Sequence, residues 1–515
     1  MRRQPDIVLL VLDTQRVDRL SCYGYPVETS PHLDMLAADS TRFAHATAPA
    51  QWTVPTHAAI FTGLYPVQHT VCQLDSVMPL ELLTLAERLQ QAGYFTAGFS
   101  HNPLIGVVSN GLQRGFHHFR NYHYLGARLL TSNLDRSDQP KNLPIKLRHT
   151  LRFWLAELLG YSQQTPVHAL SALLLPFWKT ALRLRGHSKS EMIRQSLTNV
   201  SQLLVGRRGL LQAQPIFAFV NLMGTHVPYD PPAWACQRFL SKAMGRRSVQ
   251  ELRQQANHWQ VDVCNWLGME LLEEEYRVVL NAFYDAETAA QDAEVGRFVN
   301  HLRTAGAMDS TLFIVVADHG DHLGEKQRLN HAFGVYQELT HVPLLIRDPS
   351  GKLPQGKIVE PFISTRRIFH TALVAAGAAT EDEAQLSLTH LGNDDDDSES
   401  EGVFSEGQPL GWAVKRLEKD KPGLVQASAY DQSARAIYAD GYKLITIGER
   451  RELYDLRQDA TEDVDLSHQL PQQMAALQTR LLNFVEQTQT AVTEVTRRED
   501  DAFVLKHLRD LGYLE

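Results

Sequence analysis

Short runs of uninterrupted apolar residues punctuate this chain at 7–12, 217–220, 312–316 and 342–346, each bounded by polar or turn-forming positions. A half-exposed strand alternates apolar and polar residues, whereas a run apolar throughout predicts a strand covered on both faces. Longer stretches with helical spacing lie between the runs, notably 85–92 and 282–302. Buried strands alternating with helices predict an α/β fold, a mostly parallel sheet flanked by helices. Such sheets take their ligands beyond the carboxyl ends of the strands. That rule directs attention to Asp13, to Asn221 and His226, and to Asp318-His319, the polar residues that follow the first three runs. A further segment, Thr53-Val54-Pro55-Thr56-His57, opens a helix-like run that ends near Gly63.

The chain has 515 residues, enough for about three domains at ~150 residues each, although large α/β enzymes often run longer as one unit. Its 50 Lys and Arg against 59 Asp and Glu give a net charge of -9, which argues against a general nucleic-acid binder. Four cysteines without C-x-x-C spacing suggest neither a zinc-thiolate site nor a disulfide framework, and fit a reducing compartment. Met1-Arg2-Arg3 followed by residues 7–12 imitates a signal peptide, but the apolar run is too short and Asp13 ends it. Residues 167–178 are broken by His168, Ser171 and Pro176 and fall short of the ~18 needed to span a bilayer. The expectation is therefore a soluble, cytoplasmic protein. Residues 125–210 change the picture locally: 13 Lys and Arg stand against 4 Asp and Glu, a balance of +9, among many Leu, Trp and Phe. This predicts a basic helical insertion, either a cap packed on the core or a peripheral contact with a membrane surface or an anionic substrate. Residues 392–402 are too acidic to pack and read as linker. The expected organisation is a catalytic domain over 1–380 with its insertion at about 120–215. An acidic linker over 381–402, a C-terminal α+β subdomain over 403–490 and a helical tail over 491–515 follow.

Taken alone, an Asp at a strand end is more often a helix cap than a ligand, but Asp318-His319-Gly320 repeats the situation with a glycine that lets the backbone turn closely around an ion. Adjacent Asp and His suit a divalent cation of intermediate hardness. Several ordered blocks then resemble one family. Asp13-Thr14-Gln15-Arg16-Val17-Asp18, Thr29-Ser30-Pro31-His32 and Trp52 through Pro66 look like the N-terminal signature of the sulfatase family within the alkaline phosphatase superfamily. Thr225-His226-Val227-Pro228-Tyr229, Tyr284-Asp285-Ala286-Glu287, Asp318-His319-Gly320 with His331, and Glu452-Leu453-Tyr454-Asp455-Leu456 with Glu462 agree in order.

The resemblance implies a metal-dependent ester hydrolase, with one departure that matters. The family's Cys or Ser, converted to formylglycine, is here Thr53, and its Arg is His57. A secondary alcohol cannot yield that aldehyde. Threonine in this place resembles phosphodiesterases, threonine-type phosphatases and phosphoglycerol transferases of the superfamily, whose threonine oxygen attacks phosphorus. Phosphodiester or phosphomonoester cleavage, or phosphoryl transfer, is therefore expected ahead of sulfuric ester hydrolysis. A catalytically silent anion-binding protein is the reading from another class. The metal set implied is Asp13, Thr53, Asp318 and His319. Thr14 and His319 replace the family's second N-terminal acid and its Asn, which favours manganese, zinc or magnesium over calcium and one ion over two. A second ion would need His226, Asp230 or His331. Otherwise His226 and His331 bind the non-bridging oxygens or protonate the leaving group, His57 binds the anion or holds Thr53, and Asn102 contacts substrate or shapes a turn. The expected substrate is an anionic ester, a lipid head group among the possibilities.

Overall fold

The computed structural model describes residues 4–122, 188–207, 211, 213–241, 247–261, 266, 272–393, 399, 401–421, 423, 425 and 429–488. The four apolar runs are the strands β1 (Asp6–Leu12), β5 (Ile216–Leu222), β6 (Thr311–Val316) and β9 (His341–Arg347), at the centre of an eight-stranded sheet. With β2 (Thr41–Thr47), β3 (Phe95–Ser100), β4 (His118–Asn121) and β10 (Ile358–Ser364), the order across the sheet is β10-β2-β9-β6-β1-β5-β3-β4. β7 (His322–Leu323) and β8 (Leu329–Asn330) form a separate two-stranded hairpin. β1 shows why the pattern is apolar throughout. Ile7, Leu9 and Val11 enter one buried cluster, whereas Val8, Leu10 and Leu12 enter another on the opposite face.

The sheet is mixed. β1 pairs in parallel with β5 and β6, but β9 runs antiparallel to both β6 and β2 (Thr41–Thr47), so one of the four apolar runs departs from the parallel expectation. Apolar content reports burial on two faces and carries no information about strand direction. β2, β3 (Phe95–Ser100), β4 (His118–Asn121) and β10 (Ile358–Ser364) lack such runs because they lie towards the sheet's sides. β10 is an edge strand, and its register shifts between Val359 and Phe362, around Pro361, where a proline removes no needed ladder bond.

Helices cover both faces. α1 (Pro31–Ala38), α2 (Thr53–Thr62), α3 (Leu85–Gln91), α4 (Lys189–Val205) and the long α5 (Glu274–Thr304) precede the turn α6 (Gln337–Thr340) and α7 (Ile368–Ala376). α4 falls inside the interval expected as an insertion, yet it buries Ile193, Leu197, Val200 and Leu204 in the same cluster as the sheet residues Leu10, Leu12 and Val220. Residues 123–187, which hold the aromatic and basic part of that interval, lie outside the described residues, as does the tail from 489. Residues 381–393, expected as the start of a linker, form a capped helix, Glu381–Gln385, and a 3-10 turn, Leu388–Asn393. Glu399, in the acidic run, pairs with the buried Arg366, whose Nη1 donates 2.6 Å to the carbonyl of Gly63 at the end of α2. Charge in this stretch is thus folded in where a buried arginine meets it.

The C-terminal part is a four-stranded antiparallel sheet, β11 (Val403–Gly407), β12 (Ala434–Ala439), β13 (Tyr442–Ile447) and β14 (Arg450–Asp455), covered by α8 (Pro471–Thr488). Within it lies a fully buried ion pair, Lys443 with Glu462 at 2.6 Å, and the same glutamate reaches the main domain. Glu462 Oε2 also accepts from the Gln337 N–H at 2.8 Å, and the Tyr438 hydroxyl lies 2.6 Å from Thr340 Oγ1, so α6 is held from below. Among the described residues no helix is long and apolar enough to cross a membrane.

Candidate active site

The carboxyl ends of β1, β5 and β3 are in register, Val11 opposite Asn221 and Asn221 opposite Ser100. The chain therefore delivers Asp13, Asn221 and Asn102 side by side. Asp13 Oδ2 accepts from Asn102 Nδ2 at 2.9 Å and from Asn221 Nδ2 at 3.1 Å. Asp318, two residues beyond β6, accepts at Oδ1 from the Thr14 N–H at 3.1 Å and the His319 N–H at 2.9 Å. Each carboxylate thus has one oxygen fixed. Asp13 Oδ1 and Asp318 Oδ2 are buried without a hydrogen-bond partner.

His57 and His319 approach Asp318 Oδ2 at 3.5 and 3.4 Å, but neither relieves it. The ring Nδ1 of His57 donates 2.9 Å to the Thr53 carbonyl, and that of His319 donates 2.9 Å to the Gly320 carbonyl. His319 therefore presents the lone pair of Nε2. One ligand atom each from Asp13, Asp318 and His319 lie within 4.8 Å of one another, all fully buried. Two buried carboxylate oxygens without partners cost several kcal/mol unless a cation meets them. Two carboxylates and an imidazole fit a divalent ion such as manganese, zinc or magnesium. Burial and Asp13 together hold the Asp318 carboxyl well above its usual range, and burial holds His319 well below its own.

Thr53 stands at the first turn of α2, after Trp52 in extended conformation. Its Oγ1 lies 3.3 Å from His319 Nε2 and 3.4 Å from Asn102 Nδ2. The first turn of a helix also carries unpaired N–H groups and positive potential, which favour an anion there. His57, one turn on, is wedged edge-on between Phe61 and Phe219, and burial lowers its pKa to about 4, so it is neutral at pH 7. It holds the Thr53 backbone from behind.

The His331 ring lies tilted beside that of His319, with centroids 4.5 Å apart, and edge-on to that of His226 at 5.4 Å. Its Nδ1 meets Asp321 Oδ1 at 3.2 Å. His226 is held by its Nδ1 bond to the Val227 carbonyl at 2.6 Å, and burial lowers its pKa against the pull of Asp13. The structure thus brings Asp13, Thr53, His57, Asn102, His226, Asp318, His319 and His331 together at the carboxyl end of the sheet. Asn102 Oδ1 also accepts from the Leu104 N–H at 3.0 Å, so this residue shapes its turn and fixes Asp13 together.

Asp230 is a correction. Its side chain is half exposed and paired with Arg253 at 2.6 Å, outside the cluster of Asp13, Asp318 and His319, and this surface ion pair meets its charge. Glycine at 320 has a different reason from the one expected: a Cβ there would stand 2.0 Å from the Glu338 carbonyl of α6, so it is the close approach of that turn that excludes a side chain. Asp321 and Lys189 carried no sequence signal. Lys189 Nζ donates to the carbonyls of Gly224, at 2.9 Å, and of His226, and pairs with the buried Glu287 at 3.2 Å, fixing the His226 loop. Only folding brings α4 against that loop.

The profile of the Sulfatase family matches residues 5–378. The chain belongs to the sulfatase family. It is 24% identical over 407 residues to an arylsulfatase of Clostridium perfringens, covering 75% of this chain and 78% of that protein. Human arylsulfatase A is 36% identical over 132 residues, 24% of this chain and 26% of that one. Among solved structures, a phosphonate monoester hydrolase of Agrobacterium radiobacter superposes with a TM-score of 0.67 at 21% identity, covering 96% of this chain and all of the other. A second one, from Silicibacter pomeroyi, gives 0.64 at 18%. In this member the sulfatase fold places a threonine where the helix α2 begins.

Proposed function

We propose that this sulfatase-family hydrolase cleaves phosphate monoesters or diesters, with Thr53 as nucleophile and one divalent ion held by Asp13, Asp318 and His319 beside Thr53. The observation that carries the reading is the position of Thr53 Oγ1, 3.3 Å from Nε2 of His319, which belongs to the buried Asp13, Asp318 and His319 cluster. The ion, when bound, supplies positive charge that acidifies the hydroxyl and neutralises the phosphoryl oxygens.

The residues supply the rest. α2 directs its first N–H groups towards the anion, and His57 and Asn102 hold Thr53 at its backbone and side chain. As the bond from Thr53 Oγ1 to phosphorus forms, the bond to the leaving oxygen breaks in line with it. His331, oriented by Asp321, donates a proton to that oxygen. His226 stands beside His331 to bind a non-bridging oxygen. Water then attacks the phosphothreonine in line, and the bond from phosphorus to Thr53 Oγ1 breaks to release the phosphate product. His331 regains from the water the proton it gave up, and Thr53 recovers from solvent the hydroxyl proton it lost on attack.

Sulfuric ester hydrolysis is the second reading, favoured by the arylsulfatases among the relatives. The absence of Cys or Ser at position 53 weighs against it, since no formylglycine can form there. Aryl phosphodiester, phosphomonoester and sulfate substrates offered to the manganese-loaded protein separate the two. Phosphoester turnover above sulfate turnover is expected; sulfatase activity alone sinks the proposal.

A further inference from the structure

The hairpin of β7 and β8 carries both His331 and its partner Asp321, yet little within it fixes its shape. Each strand is two residues long, with His322 opposite Asn330 and Leu323 opposite Leu329. One step beyond that ladder stand Asp321 and His331, so the hairpin's register is what sets the imidazole against the carboxylate. Two short strands are marginal by themselves. The loop is also strained, because Lys326, Gln327 and Asn330 lie at φ 50°, 59° and 65°. Left-handed backbone is unfavourable for a residue with a Cβ, least so for asparagine. Such conformations persist where the surroundings over-determine them. Asn330 is compensated locally, its Oδ1 accepting from the His331 N–H at 2.7 Å.

Lys326 and Gln327 are held from outside the hairpin. Gln327 Oε1 accepts from the Leu272 N–H, just ahead of α5, at 2.8 Å. Lys326 reaches two other parts of the molecule. Its Nζ donates 2.9 Å to Glu338 Oε1 in α6 and 2.7 Å to the carbonyl of Thr461, which follows β14. With side chains 21% and 6% exposed, Lys326 and Glu338 are shielded from the screening that weakens surface pairs. The Lys326 ammonium also stands 5.2 Å from the centre of the Tyr336 ring, and the Arg328 guanidinium 4.8 Å from it. The Tyr336 hydroxyl in turn donates 3.0 Å to Glu452 Oε2 and accepts from Arg450 Nη2 at 3.2 Å, both in β14. Hairpin and C-terminal sheet therefore meet on one tyrosine and one lysine.

We infer that Lys326 is a positioning residue for His331, and that the C-terminal sheet serves the reaction as the clamp keeping this strained hairpin in the register where Asp321 faces the imidazole. The inference rests on His331 protonating the leaving oxygen, as proposed above, and adds what keeps that residue in place. Lys326 acts through the hairpin. Without its two hydrogen bonds the loop relaxes towards right-handed backbone, and a ladder of two residue pairs is too short to hold the register. Misplacing a reacting group by about 1 Å costs on the order of a hundredfold in rate.

The test measures kcat/KM of the manganese-loaded full chain on phenyl and 4-nitrophenyl esters of whichever oxyacid it turns over. 4-Nitrophenolate leaves readily without a proton, whereas phenolate, whose conjugate acid has a pKa of ~10, needs one. Lys326→Met should lower the phenyl ester by about tenfold to a hundredfold and the 4-nitrophenyl ester by less than about threefold. Lys326→Arg, which keeps the charge and its donors, should recover part of the loss. His331→Ala should show the same selectivity with a larger loss. General damage to the fold lowers both esters alike, so an equal loss, or none, in Lys326→Met beside a selective loss in His331→Ala overturns the inference. If His331→Ala lowers both esters equally, or no ester is turned over, it is the reading of His331 as the acid that fails. The clamp is then judged by amide hydrogen exchange. Residues 320–334 should exchange about tenfold faster or more in Lys326→Met than in wild type, and slower again in Lys326→Arg, with residues 7–12 unaltered. Equal rates across the hairpin in all three proteins end the inference.

Discussion

Replacing Asp318 by Asn tests the metal site without any substrate. Asp13 and Asp318 offer carboxylate oxygens within 4.8 Å of each other in a fully buried site. At an effective dielectric of about 20, two unit charges at that distance repel by about 3 kcal/mol. In Asp318→Asn the amide oxygen can still accept from the Thr14 and His319 N–H groups, which now reach Oδ1, while the amide nitrogen takes the place of the unpartnered Oδ2. The repulsion disappears and a donor is gained. In EDTA the variant should therefore melt above wild type by a few degrees, since part of the ~3 kcal/mol is already relieved by protonation of the wild-type carboxyl. Manganese should reverse the order. At 100 times its Kd an ion stabilises wild type by about 2.7 kcal/mol, whereas the variant has lost a charged ligand and should gain far less. Differential scanning fluorimetry with and without manganese reads both effects. A variant less stable than wild type in EDTA, or an equal gain from manganese in the two proteins, would refute the argument that these oxygens form a cation site.

Thr53→Ala should lower turnover by about a thousandfold or more, with Thr53→Ser retaining a measurable part, and an acid quench of wild type should trap a mass adduct on Thr53. Lys443→Met alone leaves Glu462 buried without its partner and should cost about 3 to 5 kcal/mol in urea unfolding; adding Glu462→Gln should recover most of it. Acid should destabilise the protein in a defined window. Burial, the leading cause in each case, holds His341 and His370 at about 4 and His69 at about 3, below their unfolded value. The unfolded chain therefore binds protons first, so their contribution is complete above pH ~6.5 and is lost as pH falls towards 4, about 3 kcal/mol each at the foot of the window. A urea midpoint that stays flat from pH 6.5 to 4, or a His341→Asn variant with an unaltered slope, contradicts this assignment.

The sequence by itself determined the ingredients of the site, because the rule that ligands bind beyond strand ends needs only the strands and the residue after each one. Asp13, Asp318 and His319 were legible that way, and Thr53 from the motif around it. Four of the eight strands were legible as well, those buried on both faces. The tertiary structure alone decided strand direction, since β9 is as apolar as its parallel neighbours and yet runs against them. It alone decided which polar residue turns inward, sending Asp230 to Arg253 at the surface and Asp321 to His331 in the site. It alone placed the Lys443–Glu462 pair beneath α6, and Lys189 against the His226 loop. Local pattern records what a side chain needs, burial or a charge partner. Which partner meets that need depends on packing between segments hundreds of residues apart.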